Sequence, residues 1–99
     1  MFHHIVMYWL KDRKNSALLQ ETIDKLQSME GKIPGLLSVK ARKDEAGDAR
    51  SCDLCLITVL ENRNAFEAYK THPVHLPVKE HMHRVVERSA SVDFEEPQG

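Results

Sequence analysis

Apolar residues recur along the chain at two spacings, one typical of strands and the other typical of helices. The segments His4–Leu10 and Cys52–Leu60 are almost continuously apolar and rich in β-forming residues, which predicts two strands buried on both faces. The segments Leu36–Lys43 and Ser89–Phe94 alternate, which predicts two half-buried strands. Their predicted apolar faces are Leu37, Val39 and Ala41 in the earlier strand and Ala90, Val92 and Phe94 in the later one.

The longest helical pattern covers Ser16–Glu30. Apolar residues recur in it every three or four positions, at Leu19, Ile23, Leu26 and Met29. Asn15 or Ser16 can cap its first turn, because a short polar side chain accepts a hydrogen bond from a free backbone N–H there. Gly31 follows the last apolar position, where a residue able to adopt a left-handed conformation commonly ends a helix.

Two shorter helical patterns flank a proline turn. Asn62 or Asn64 can cap the first of them, with Glu67 three residues beyond Asn64 as a capping-box partner. The second carries Pro77 in its first turn, where proline is well tolerated. Its apolar positions are Val78, Met82, Val85 and Val86.

The resulting order, β-α-β-β-α-α-β, predicts an α+β fold. Two β-α-β halves with right-handed connections give a ferredoxin-like, four-stranded antiparallel sheet with helices on one face. The first and third strands are predicted to be central. Residues 1–99 form a single domain in this interpretation, with a frayed tail over about 95–99.

The first strand is apolar on the side that the helices cannot cover. Ile5, Met7 and Trp9 share that side, because alternate residues of a strand point to the same face. An apolar patch of this size is unfavourable in water. We therefore expect a second copy of the chain to cover it, so that two sheets pair into a homodimer.

Composition narrows the possible partners. The 99 residues have a formal net charge of -1 with interleaved acids and bases, so no basic stripe is available for nucleic acid. The apolar runs are too short to cross a bilayer, and no membrane partner is expected. The first residues lack the features of a secretory signal, which predicts a cytoplasmic location.

The two cysteines form the sequence C-D-L-C, which raises the alternatives of a zinc site and a redox pair. A structural zinc site needs two further ligands, and no second pair is present. Residues three apart on a strand point to opposite faces, so Cys52 and Cys55 are not expected to form a disulfide. Both are predicted to be packed free thiols.

Three segments carry a family likeness: HHIVMYWLKD at the start, IPGLLSV after the first helix, and AFEAYKTHPVH in the second half. With them the chain resembles the stress-responsive dimeric α/β-barrel family, Dabb. The resemblance implies ferredoxin-like subunits whose sheets pair into a dimeric barrel. Most members of this family have no established activity, and the best-understood relatives include a plant polyketide cyclase that closes a ring by aldol condensation without a cofactor.

The resemblance also implies three catalytic candidates: His75, Tyr69 and His4. In cyclase-like members the residue matching His75 is the general base, the one matching Tyr69 orients it, and the one matching His4 lies in the pocket. A neutral imidazole can take a proton from carbon next to a carbonyl at neutral pH. The alternative is structural: Tyr69 and His75 tie the corner at Pro73 together by hydrogen bonds, and either can partner His4.

The chain departs from the cyclase pattern at two polar pocket positions, which align with Leu26 and Leu54. The cyclase activity itself is therefore not expected. The resemblance instead implies a smaller or more apolar pocket for a small apolar or aromatic ligand. Its predicted walls are Leu19, Leu26, Leu54 and Val86.

No metal site or cofactor is expected from the side chains. His81 and His83 diverge because they are two apart on a helix, and the motif containing His72 and His75 has no carboxylate. Some family members hold a hard cation on backbone carbonyls after the first helix, which correspond to those of Glu30, Ile33 and Leu36. Backbone ligands leave no sequence signature, so that site stays open.

Two functions are compatible with these features. The first is a cofactor-free cyclase, lyase or isomerase, or a small-ligand binder, that uses His75, Tyr69 and His4. The second is a non-enzymatic, stable dimer with a stress-response or structural role. A cofactor-independent monooxygenase on the same fold is a weaker third, and no glycine-rich phosphate loop suggests a nucleotide cofactor.

Overall fold

One antiparallel sheet organises the chain, as seen in a computed structural model that describes residues 1–97. The strands are β1 (Phe2–Leu10), β2 (Leu36–Lys43), β3 (Leu54–Leu60) and β4 (Val86–Glu95), and the helices are α1 (Ser16–Gln27), α2 (Arg63–Thr71) and α3 (His75–Val85). The strand order is β2-β3-β1-β4, and all neighbours are antiparallel. The predicted ferredoxin-like fold, with β1 and β3 at the centre, is confirmed.

The hydrophobic core lies between the helices and one face of the sheet. On β1 the buried residues are Phe2, Val6 and Leu10, spaced four apart and therefore on the same face. Every second residue of β3 is buried too, from Leu54 to Leu60. The opposite face has no helix, and Met7 remains 43% exposed there.

Two of the alternative N-cap residues predicted from the sequence, Asn15 and Asn62, cap their helices in the structure. Asn15 accepts the N–H of Leu18 at 2.9 Å, and Asn62 accepts the N–H of Ala65 at 2.8 Å. The Asn64 capping box is therefore wrong, because Asn64 already lies inside α2. The first helix ends at Gln27, before the predicted Glu30. No helix within residues 1–97 has the length and apolarity needed to span a membrane.

A β-bulge in β2 overturns one predicted face. The register passes from Leu36 opposite Leu60 to Ser38 opposite Val59, so β2 has an extra residue. That residue shifts the alternation by one position. Leu36 is buried beside Val39 and Ala41, whereas Leu37, predicted to join them, is 50% exposed.

Two strand boundaries also differ from the predictions. β3 begins at Leu54, and the carboxylate of the preceding Asp53 accepts the backbone N–H of Leu10 at 2.7 Å and the Arg13 Nε–H at 3.0 Å. β4 begins at Val86, which we had predicted to be helical, and runs through Glu95 into the segment expected to fray. Residues 98–99 of that segment lie outside the described residues. Both cysteines are free.

Gly35 provides a test of how tightly α2 packs on the start of β2. Its φ is +82°, and an added Cβ would lie 2.8 Å from the Cβ of Ala65. Gly47 is the matched control, because its φ is +67° but an added Cβ meets nothing within 4 Å. Both alanine variants incur left-handed backbone strain of about 1–2 kcal/mol, and Gly35→Ala adds about 1–3 kcal/mol of overpacking. Urea unfolding at one protein concentration should show the larger loss for Gly35→Ala, and equal losses would contradict this close packing.

Candidate active site

A cavity of about 370 Å³ lies beneath α3, on the helix-covered side of the sheet. This volume is within the range of small-molecule sites. All three helices and three of the strands contribute to its lining, which comprises His4, Tyr8, Leu26, Leu56, Tyr69, His75, Val78, Lys79, Met82, His83, Val86, Glu87, Arg88 and Ser89. Of the predicted walls, Leu26 and Val86 line this cavity. Leu54 is instead fully buried in the core, and Leu19 borders a separate polar cavity near Arg13.

The three side chains singled out from the sequence meet at this cavity. Tyr69 stands between the two histidines: its ring centroid is 4.4 Å from that of His75 and 6.2 Å from that of His4. Strand parity brings His4 inward, the helical spacing of α2 turns Tyr69 inward with Phe66, and His75 is the first residue of α3. Three elements distant in sequence therefore position one aromatic cluster.

The Tyr69 hydroxyl is buried and has no hydrogen-bond partner among residues 1–97. The hydrogen bond by which we had expected Tyr69 to orient His75 is absent, and the two rings pack against each other at 36° instead. Burial, reinforced by the nearby Tyr8, raises the pKa of Tyr69 well above its usual value. The phenol is therefore a permanent hydrogen-bond donor at neutral pH.

His75 is a neutral base at physiological pH. Burial, followed by the positive charge of Lys79 and then by His4, lowers the pKa of His75 to about 4. Its Nδ1 lies 3.4 Å from the Sδ of Met29, and its Nε2 forms no hydrogen bond within residues 1–97. An imidazole in this state has a free lone pair with which to accept a proton.

The corner before α3 is held by His72. Its Nδ1 accepts the N–H of Val74 at 3.1 Å, and its carbonyl accepts the N–H groups of His75 at 2.9 Å and Leu76 at 3.1 Å. The backbone of His72 is extended, with ψ of 138°, as expected before Pro73. None of these bonds uses the His75 side chain, so the expected structural role at this corner belongs to His72.

His4 pairs with a residue that sequence reasoning missed. Its Nδ1 contacts the carboxylate of Asp93, which lies directly opposite it in the β1–β4 register. We had expected Tyr69 or His75 to be the partner. The alternation of the last strand does place Asp93 on the face opposite Val92, but the register that brings it to His4 is not visible in the sequence.

Tyr8 is the second missed residue. Parity had placed it on the same face as His4, and it lines the cavity there. Burial raises the pKa of Tyr8 to about 12, so its hydroxyl stays protonated at neutral pH.

Metal-binding geometry is absent from the described part of the chain: within residues 1–97 no three His, Cys, Asp or Glu side chains form a group that could hold an ion. His81 is buried with its Nε2 2.9 Å from the Thr22 hydroxyl, whereas His83 is exposed at the cavity. The two side chains diverge as predicted. In the loop after α1, the carbonyl of Ile33 accepts the N–H of Leu36 at 3.1 Å, and the question of a cation on these backbone carbonyls stays open.

Comparison with known families agrees with this architecture. The profile of the stress responsive A/B barrel domain, Dabb, matches residues 2–96. The chain belongs to the Dabb family. No curated protein is significantly similar to this chain in sequence.

Solved structures with the same fold include proteins of several descriptions. A dimeric ferredoxin-like protein of unknown function from Thermobifida fusca is 22% identical, with a TM-score of 0.84, over 94% of this chain and 88% of that one. A Dabb protein from Mesorhizobium loti is 18% identical, with a TM-score of 0.80, over 99% and 97%. The hydroxynitrile lyase from Passiflora edulis is 13% identical, with a TM-score of 0.83, over 99% and 94%. At these identities the similarity establishes the fold alone.

The depressed pKa of His75 predicts how stability depends on pH. Between about pH 4 and 6.5 the His75 ring binds a proton in the unfolded chain but not in the folded chain. The contribution of His75 to folding stability is therefore complete above this pH range and is lost as the pH falls through it. Urea unfolding of the wild type should therefore show lower stability at pH 5 than at pH 7. His75→Asn should reduce this difference in stability between pH 5 and pH 7. Part of the difference should remain, because burial also lowers the pKa of His81. An unchanged pH difference in the variant would contradict this assignment to His75.

Proposed function

We propose that the protein is a homodimer that binds a small carbonyl compound and moves a proton at the carbon next to the carbonyl group, without a cofactor. The observation that carries the proposal is the buried Tyr69 hydroxyl, which has no hydrogen-bond partner within residues 1–97 and lies beside neutral His75. A buried donor without a partner is unfavourable, so a side-chain shift that opens the Tyr69 hydroxyl to a ligand oxygen in the cavity gains a hydrogen bond.

Each of the two groups has a defined task in the proposed reaction. His75 Nε2 accepts the proton from the α-carbon of the substrate, and the electron pair of the broken C–H bond moves to form an enolate. The Tyr69 hydroxyl donates a hydrogen bond to the oxygen on which the negative charge develops. Return of the proton from His75 to another carbon gives an isomer. Alternatively, the enolate carbon attacks a second carbonyl of the same molecule and closes a ring, and the resulting alkoxide takes the proton back from His75.

His4 and Asp93 form a second polar pair at the edge of the same cluster. The carboxylate of Asp93 contacts Nδ1 of His4 and so fixes the orientation of the ring. The ring centroid of His4 lies 4.9 Å from that of Phe66, which limits its rotation. We infer that His4 orients the substrate or relays the proton that His75 has taken.

The cavity walls favour a substrate with an apolar or aromatic body. Leu26, Leu56, Val78 and Met82 line the cavity with side chains that offer no strong hydrogen bonds. A substrate with many oxygen atoms would leave several of them without partners here. The plant cyclase reaction is therefore not part of the proposal.

The dimer is proposed to form through the uncovered face of the sheet. That face carries Ile5, Met7 and Trp9 on β1 and, opposite them or their neighbours on β4, Val92 at 54% and Phe94 at 37% exposure. Large apolar residues exposed side by side favour association. The description of the Thermobifida fusca structure as dimeric supports the same assembly.

Met7→Glu tests this interface without placing the charge in the core of one subunit. Met7 is 43% exposed in the single chain, so glutamate is tolerated there but lacks a partner once a second sheet covers it. Leu76→Glu is the matched control, because Leu76 is 48% exposed on α3, away from the sheet. Light scattering at micromolar concentration should show a dimer for wild type and the control and a monomer for Met7→Glu. A monomeric wild type would contradict the proposal.

A non-enzymatic stable dimer is the second candidate. It is favoured by the dense packing of the aromatic cluster, in which the rings of Phe2 and Phe66 lie 4.8 Å apart and those of Tyr69 and His75 lie 4.4 Å apart. In this alternative His75 contributes only packing, and the cavity binds no carbonyl compound.

Deuterium exchange into phenylacetone separates the two candidates. Its CH₂ group lies between an aromatic ring and a carbonyl, and its exchange in buffer is readily followed by proton NMR. The wild type should accelerate this exchange over buffer, and His75→Asn should lower the enzymatic rate by about 10²–10⁴-fold, the usual contribution of a general base. Tyr69→Phe should also lower it, because the enolate loses its hydrogen bond.

The same substitution on the opposite face of the sheet provides the control. His3 stacks on Phe94 on that face, away from the cavity, so His3→Asn should leave the exchange rate unchanged. Light scattering checks that this variant is still a dimer. A thermal-shift screen of phenolic and β-keto compounds extends the search to other ligands. If phenylacetone exchanges no faster with wild type than in buffer, and no compound stabilises wild type more than His75→Asn, the non-enzymatic candidate stands.

A further inference from the structure

We propose that the compound bound in the cavity carries a carboxylate beside its carbonyl group, and that Lys79 binds this carboxylate. The substrate class is then a 2-oxo or 3-oxo acid with an apolar tail. This inference rests on the proposed function, since it specifies the ligand of the same cavity.

Lys79 is a cation without a counterion at the cavity lining. It is solvent-exposed and forms no ion pair within residues 1–97, and among the described lysines it is the one that lines the cavity. A lone ammonium group beside an apolar cavity is complementary to a ligand with one negative charge.

The other charged side chains near the cavity are less suited than Lys79 to bind a ligand carboxylate. Arg88 also belongs to the cavity lining, but its guanidinium carbon lies 4.4 Å from the centroid of the Trp9 ring, on the opposite side of the sheet. Asp93 is engaged by His4. Glu87 also lines the cavity without an ion pair in the described residues, and it repels a ligand carboxylate from the β4 side of the cavity, which favours the position at Lys79 on α3.

The spacing along α3 places His75 and Lys79 on the same side of the cavity. His75, Lys79 and His83 are each four residues apart and all line the cavity, so they form one stripe on one face of the helix. Side chains at this spacing start about 5–6 Å apart. One small ligand can therefore place its carboxylate at Lys79 and its α-carbon at His75.

A bound carboxylate would also change the base. The positive charge of Lys79 is one of the causes that lower the pKa of His75. Pairing of Lys79 with a carboxylate offsets that charge, so the correct substrate makes His75 a stronger base once it is bound. A neutral ketone of the same shape lacks this effect.

Three compounds that differ at one group test the proposal: phenylpyruvate, methyl phenylpyruvate and phenylacetone. Binding to the intact wild-type protein is measured by NMR chemical-shift titration. Phenylpyruvate should bind at least tenfold more tightly than its ester or the ketone. Lys79→Gln should remove that preference, Lys79→Arg should retain most of it, and the control Lys25→Gln on α1 should leave it unchanged.

The titration of His75 supplies a readout besides affinity. The pH midpoint of the His75 ring signals in NMR spectra should rise in Lys79→Gln. Phenylpyruvate should raise this midpoint in wild type but not in that variant. If the ester binds as tightly as the acid and Lys79→Gln changes nothing, the carboxylate proposal is overturned while the proposed function stands. If none of the three compounds binds to wild type but a neutral carbonyl compound from the thermal-shift screen does, only the carboxylate proposal is overturned; if no compound binds in either experiment, both are overturned.

Discussion

The structure depends on the central strand β1 being apolar on both faces. Its helix-facing side contributes Phe2, Val6 and Leu10 to the core, and its other side presents Met7 and Trp9 away from the helices. The same alternation sends His4 to the helix-facing side. The alternation of side chains along β1 therefore places both the core residues and His4 on the helix-facing side. A shift of the β1 register by one residue would move all of them to the opposite face of the sheet.

The corner between α2 and α3 separates structural and chemical roles among its histidines. Pro73 keeps His72 extended, and His72 then satisfies the backbone groups that the break between the helices leaves free. Because the corner needs nothing from the His75 ring, that ring can pack on Tyr69 at the cavity. The motif Tyr-x-x-His-Pro-x-His thus combines a turn with two side chains that line the cavity.

Burial, more than direct hydrogen bonding, determines the protonation states at the cavity. It raises the pKa of Tyr69 and lowers that of His75, so a protonated donor and an unprotonated acceptor stand side by side at neutral pH. Neither is neutralised by the other, because their rings pack without a hydrogen bond.

The sequence alone determined the features that depend on local spacing. The hydrophobic periods predict the seven elements, right-handed connections predict the sheet order, and strand parity places His4 on the inner face. Only the tertiary structure decided which groups meet. The bulge that exposes Leu37 and the register that joins His4 to Asp93 depend on pairing between distant strands. The lone hydroxyl of Tyr69 and the unpaired charge of Lys79 depend on side-chain packing in three dimensions, which no spacing along the chain encodes.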